Sequence, residues 1–265
     1  MHKYKKDYPI ESEIAMKEKI NFSLVLEKAI ALPMVRIDRD SFLKTALSHH
    51  FDTETVSKAI EYNPAYAGIS ADKIKKIANA AINYETTKVT AFSATAGIPS
   101  GFAMIGTIPA DLTQYFGHML IIAQKLMYLY GWSDLFDESG QIDDETANLL
   151  TLFIGVMFGV KEAVQAVVKI SEKASEKLVA SIAKKAVEKG AVTPAVKKIA
   201  SNIANKLSIK IGEEIAMKKI AASVIPVIGG LISGTITYVT YKPMAIRLKN
   251  HLATLKQADV SFYTR

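Results

Sequence analysis

Residues 109–131 read PADLTQYFGHMLIIAQKLMYLYG. The proline suits a first helical turn, where its missing N–H costs no hydrogen bond, and the closing glycine suits the position just past a last turn. The segment between them predicts a helix of about 22 residues, roughly 33 Å long at 1.5 Å rise per residue. Asp111, Gln114, His118 and Lys125 recur at spacings of 3, 4 and 7, so they share a stripe about 60° wide on a helix that is otherwise almost entirely apolar. A water-facing side normally carries a broader polar arc. The stripe is therefore a candidate polar seam that lines a cavity or partner groove, or else a narrow structural or exposed strip.

Outward from this segment, helical periodicity and punctuation recur while alternating strand patterns are almost absent. The first helix is expected over about 11–32, stopping at Pro33, and a short one should follow Asp40-Ser41. Asp52-Thr53 opens another, in which a short oxygen-bearing side chain accepts from free first-turn amides, and it ends before Asn63-Pro64. Ser70 opens a long helix, Ala71 to about Ala96, closed by the Gly/Pro-rich 97–101. The polar loop 132–142 is the expected hinge between two halves of one helical domain, 1–265. Behind it, Asp143 or Asp144 caps a helical stretch reaching Gly190, apolar almost all round from Thr146 to Val160, so that part is buried on every side or lies in lipid. Helices then run from Thr193-Pro194 through Lys219 and restart near Pro226 and at Pro243, and the last ten residues read as a tail. The fold class is all-α: a multi-helix bundle with two Gly/Pro-interrupted apolar helical hairpins.

Those hairpins fall in two runs of 22 residues without a charge, 89–110 and 220–241. Each is long enough to span a membrane. The first holds five Ser/Thr, three Gly and two Pro and breaks near its middle, which disfavours a span. The second is greasier. Pro226, Gly229, Gly230 and Gly234 are its candidates for membrane or helix packing, because Gly230 and Gly234 have the four-residue spacing that lets helix backbones approach closely in lipid and in soluble cores alike. It is read as a hairpin buried in the core, a span, or an insertion at the membrane surface.

The 265 residues are 49% hydrophobic and 22% charged, which excludes wholesale disorder. The absence of cysteine rules out a disulfide framework and thiolate chemistry and fits a cytoplasmic setting. No signal peptide is expected, because Asp7, Glu11 and Glu13 follow the basic start at once. The net charge of +7 is concentrated: residues 161–219 hold 13 Lys against 6 Glu, and the rest of the chain balances. Lys184, Lys185, Lys189, Lys197 and Lys198 are the candidate contacts to an anionic surface. Lysine suits diffuse attraction to phosphates better than bidentate reading of bases, so anionic lipid or an acidic partner is expected rather than sequence-specific nucleic acid. A plain solvated helix face is the alternative.

Catalytic motifs are missing. No phosphate-binding G-x-x-x-x-G-K-[ST], dinucleotide G-x-G-x-x-G, H-E-x-x-H or G-x-S-x-G occurs, which disfavours an NTPase, a zinc protease or an α/β-hydrolase. Asp111 and His118 lie about 10 Å apart along the helix axis, too far to share one ion. The adjacent His49-His50 point apart, and His2 and His251 are terminal or lone. No metal, cofactor or catalytic residue is assigned.

The run Ala96-Gly97-Ile98-Pro99, then Ile108-Pro109-Ala110-Asp111 through Leu129-Tyr130-Gly131, with the later Ile225-Pro226-Val227-Ile228-Gly229-Gly230, resembles the EcsC family of bacterial helical proteins. The likeness covers most of 25–250 and implies a helical, membrane-associated bacterial protein of poorly defined activity, with no catalytic residue to carry over. The expected function is a non-enzymatic protein at the inner face of the cell membrane, accessory to a transport or envelope-stress system. Its partners would be an anionic surface or a membrane protein, or a second copy in a homo-oligomer. A soluble enzyme or ligand-binding protein using Asp111, Gln114 and His118, and a membrane-perturbing effector, are the alternatives.

Overall fold

The computed structural model describes residues 21–96, 104–105, 108–135, 143–175, 195–207 and 229–264, and side chains within them for 21–91, 112–135, 143–172, 195–207 and 240–264. Helices α1 (Phe22–Ile30), α2 (Arg39–Leu47) and α3 (Thr53–Glu61) precede the long α4 (Ala71–Ala96). Strands β1 (Met104–Ile105) and β2 (Ile108–Pro109) form a short antiparallel ladder that leads into α5 (Ala110–Leu129). Helices α6 (Asp144–Met157), α7 (Lys161–Ser175), α8 (195–207) and α9 (Gly229–Leu252) follow, then a 3-10 turn (Lys256–Ala258) and α10 (Val260–Tyr263). The described chain is an all-α bundle, with the two-residue ladder as a small exception.

Helix α5 lies at its centre, packing against α1, α2, α4, α6 and α9. Phe116, Met119, Leu120, Ile122, Leu126 and Met127 are wholly buried along it. Each such side chain withdrawn from water contributes about 1.5–3 kcal/mol before the entropy of ordering is subtracted. Helix α4 makes its most extensive packing with α9. From Leu149 to Met157 every residue of α6 is buried, so its all-round apolarity is met by protein. Gly155 permits this: a Cβ there would lie 2.6 Å from Ala163 Cβ on α7 and 2.9 Å from Ile199 Cγ2 on α8.

Helix α5 ends as its sequence predicts. Gly131 is left-handed at φ +88°, and the N–H groups of Trp132 and Gly131 return to the carbonyls of Met127 and Tyr128 at 3.0 and 3.3 Å. Asp52 and Asp143 cap α3 and α6 by accepting from the Thr55 and Thr146 amides.

Other boundaries differ from expectation. The cap of α2 is Asp38 rather than Asp40-Ser41, since its Oδ1 accepts from the Ser41 amide at 2.7 Å. The expected continuous helix from 143 to 190 is interrupted at Gly159, where φ is +68° and the Val160 and Gly159 amides close onto Gly155 and Val156. Pro109 precedes α5 and pairs with Met104 in the ladder. Pro243 restarts nothing: it lies inside α9, and the neighbouring turns carry the helix past its missing N–H. The last ten residues are no loose tail. Gln257 is buried and accepts from the Ser171 hydroxyl at 2.6 Å, and Asn63 donates to the Tyr263 hydroxyl at 3.0 Å. Residues 11–20, 97–101, 136–142, 184–190 and Pro226, on which further expectations fall, lie outside the described residues.

Of the polar loop, 132–135 is described and is anchored. Trp132 is buried with its ring edge-on to Phe153 at 4.8 Å, and the Leu135 carbonyl accepts from Thr146 at 2.8 Å. One hydrophobic cluster contains residues from both sides of that loop.

Candidate functional site: a buried charge pair and a lysine face

The stripe on α5 meets α4 at Glu85. Its carboxylate is fully buried and Oε1 accepts from Lys125 Nζ at 2.6 Å, while Lys88 Nζ stands 3.8 Å from Oε2. The Lys125 ammonium also sits 5.6 Å from the Phe42 ring centre and 5.8 Å from that of Tyr84, within range of cation–π attraction. The pair is largely removed from water, so each partner neutralises a charge that would be costly alone.

His118 is half-buried. Burial lowers its pKa, and this outweighs the opposing pull of the Glu85 charge, so the neutral imidazole is favoured. Its backbone carbonyl accepts from the hydroxyl of the buried Tyr241 at 3.0 Å, which ties α9 to α5. Burial pushes the Tyr241 phenol well above its ordinary range and keeps it a donor. Gln114 is exposed, and the Asp111 side chain lies outside the described residues. The structure thus brings Lys125 and His118 to the neighbourhood of Glu85 and leaves Gln114 in solvent. This arrangement can hold helices in register. Among the described residues, no group of three or more His, Asp or Glu stands together to hold a metal ion.

Of the candidate surface lysines, Lys197 and Lys198 lie exposed on α8, and Lys184, Lys185 and Lys189 are outside the described residues. Lys161 and Lys169 on α7 and Lys206 on α8 are exposed as well, above a buried seam of Val167, Ile170, Val196, Ile199 and Ile203. Lys198 is partly committed: its Nζ is 2.9 Å from Glu162 Oε1, and this contact holds the Glu162 carboxyl below its usual range. Gly229, Gly230 and Gly234 form the first turns of α9, with the two spaced glycines on one helix face. Among the described residues, no helix is long and apolar enough to cross a membrane.

No family model matches the chain, and no curated protein or solved structure does either.

Three polar side chains that sequence reasoning passed over organise the core. Arg39, 8% exposed, donates to the carbonyls of Ile60, Tyr62 and Trp132 at 2.6, 3.0 and 3.3 Å, closing the end of α3 against the loop after α5. Gln124 holds the strap between α1 and α2, donating to the Val35 carbonyl at 2.8 Å and accepting from the Ile37 amide at 3.0 Å. Glu85 had a readable signal, because Ile74, Ala78, Ile82, Glu85 and Val89 follow the helix period and all are buried.

Proposed function

We propose that this chain is a non-enzymatic helical protein that associates peripherally with an anionic membrane surface through 161–219, as an accessory to a transport or envelope-stress system. The observation that carries the reading is the placement of charge. The whole excess of +7 lies in that region, and every lysine there whose side chain is described, namely Lys161, Lys169, Lys197, Lys198 and Lys206, is exposed. Each lysine near an anionic leaflet contributes about 1 kcal/mol at moderate salt. The resemblance to EcsC proteins points the same way. Gly229, Gly230 and Gly234 at the start of α9 would supply a close-packing face for a membrane protein or a second copy.

The test is co-sedimentation of the full chain with neutral and with phosphatidylglycerol-containing vesicles at low and high salt. Binding is expected only to the anionic vesicles, with release by salt, and the triple variant Lys161→Glu, Lys197→Glu, Lys206→Glu should weaken it by more than about tenfold. A wild-type protein that stays in the supernatant with anionic vesicles at low salt would sink the proposal.

A further inference from the structure

A cavity of about 310 Å³ opens where the start of α4 meets the ends of α5 and α9. Its polar lining consists of Lys75 and Asp72 on α4, Lys249 and Asn250 on α9, and Tyr130 just past α5. Two of these groups are buried donors with their capacity unspent. Lys249 is 6% exposed, and its ammonium donates to a neutral acceptor, Asn79 Oδ1, at 2.8 Å. Among the described residues it forms no ion pair, although an ammonium has three hydrogens to place and a buried charge is costly unless matched. The Tyr130 hydroxyl is buried without a hydrogen-bond partner, on a residue 4% exposed. An unmatched buried hydroxyl costs about 1–3 kcal/mol, a cost that a ligand accepting from it would remove.

The backbone adds donors of the same sense. The amides of Lys73 and Ile74 return to the Ser70 carbonyl, and those of Ala71 and Asp72 have no acceptor within the helix. They open a 26-residue helix whose positive end faces this cavity. Asp72 is the one acidic residue in the lining, against two lysines.

We propose that this cavity binds a small oxyanion, the phosphate or carboxylate group of a ligand, held by Lys249, Lys75 and the Tyr130 hydroxyl. The two buried polar groups of the lining, the Lys249 ammonium and the Tyr130 hydroxyl, both have hydrogens to donate, and two lysines outnumber the exposed Asp72, which favours an anionic, acceptor-rich ligand. The volume lies at the lower end for small-molecule sites and suits a compact metabolite or a lipid headgroup. Burial and the nearby Lys75 charge both lower the Lys249 pKa, a penalty that an anion between the two ammonium groups would relieve.

The experiment titrates the full chain calorimetrically with inorganic phosphate, glycerol 3-phosphate and acetate, and in a parallel arm with phosphatidate and phosphatidylcholine vesicles. At least one anion should bind. Lys249→Met should weaken that binding by about tenfold or more, and the shape-preserving Tyr130→Phe by several-fold, while Lys44→Gln, at an exposed position of α2 outside the lining, leaves it unchanged. Binding of a soluble anion identifies a free ligand; phosphatidate binding that survives in the Lys161→Glu, Lys197→Glu, Lys206→Glu variant and is lost when either cavity substitution is added to it identifies a headgroup. Tyr130→Phe keeps the ring in place, so it remains informative should Lys249→Met unfold. The proposal is overturned if no anion binds at millimolar concentration and low salt, or if the cavity variants bind as well as the wild type.

Discussion

Glu85 stands where the period of α4 calls for an aliphatic side chain, and Lys125 makes that tolerable. Removing Lys125 leaves a fully buried carboxylate with Lys88 at 3.8 Å as its nearest described cation. Lys125→Met should therefore cost about 3 kcal/mol in urea denaturation, and adding Glu85→Gln should recover most of the loss, because the cost is the unmatched charge. A variant pair whose effects simply add would contradict this. The histidines give a second expectation at this scale. Burial lowers the folded pKa of His118 and of His251 below their ordinary value of 6.5, so the unfolded chain takes up these protons first as pH falls. Their contribution is level above pH 6.5 and is lost below it. The urea midpoint should fall from pH 7.5 to 5.5, and the double variant His118→Asn, His251→Asn should flatten that slope.

Two helix ends that share one backbone motif differ in their surroundings. At Gly159, the atoms nearest an added Cβ belong to the Arg247 guanidinium at 3.6 Å, an ordinary contact, so Gly159→Ala should cost little beyond the left-handed backbone, about 1–2 kcal/mol. At Gly131 the same methyl would come within 2.7 Å of the Gln257 carbonyl oxygen, a backbone atom fixed by the folded C-terminus. Gly131→Ala should be the more damaging by at least about 1 kcal/mol, as thermal or chemical denaturation would register. Glycine chemistry made the end of α5 legible in advance, and it was equally present at Phe158-Gly159. There the helical pattern resumes at once with Val160, Ala163, Val164 and Val167, and that periodicity masks the break.

One hydrophobic cluster links α1–α5 with α6–α9 across the polar loop, and Trp132, the single tryptophan, lies inside it. Tryptophan fluorescence and far-ultraviolet dichroism should therefore report one coincident unfolding transition, whereas separate midpoints would mean that the halves unfold independently. At this scale the all-α class, the nearly all-round apolarity of α5 and the lysine-rich region were readable in the sequence, since each depends on local composition or on a period of 3.6 residues. Partner choice was not readable. That Lys125 meets Glu85 forty positions away, that Arg39 closes α3 against Trp132, and that Tyr130 and Lys249 line one cavity follow from how helices cross. A side chain's period fixes the face it occupies; only the packed neighbour decides whether that face meets oil, water or an opposite charge.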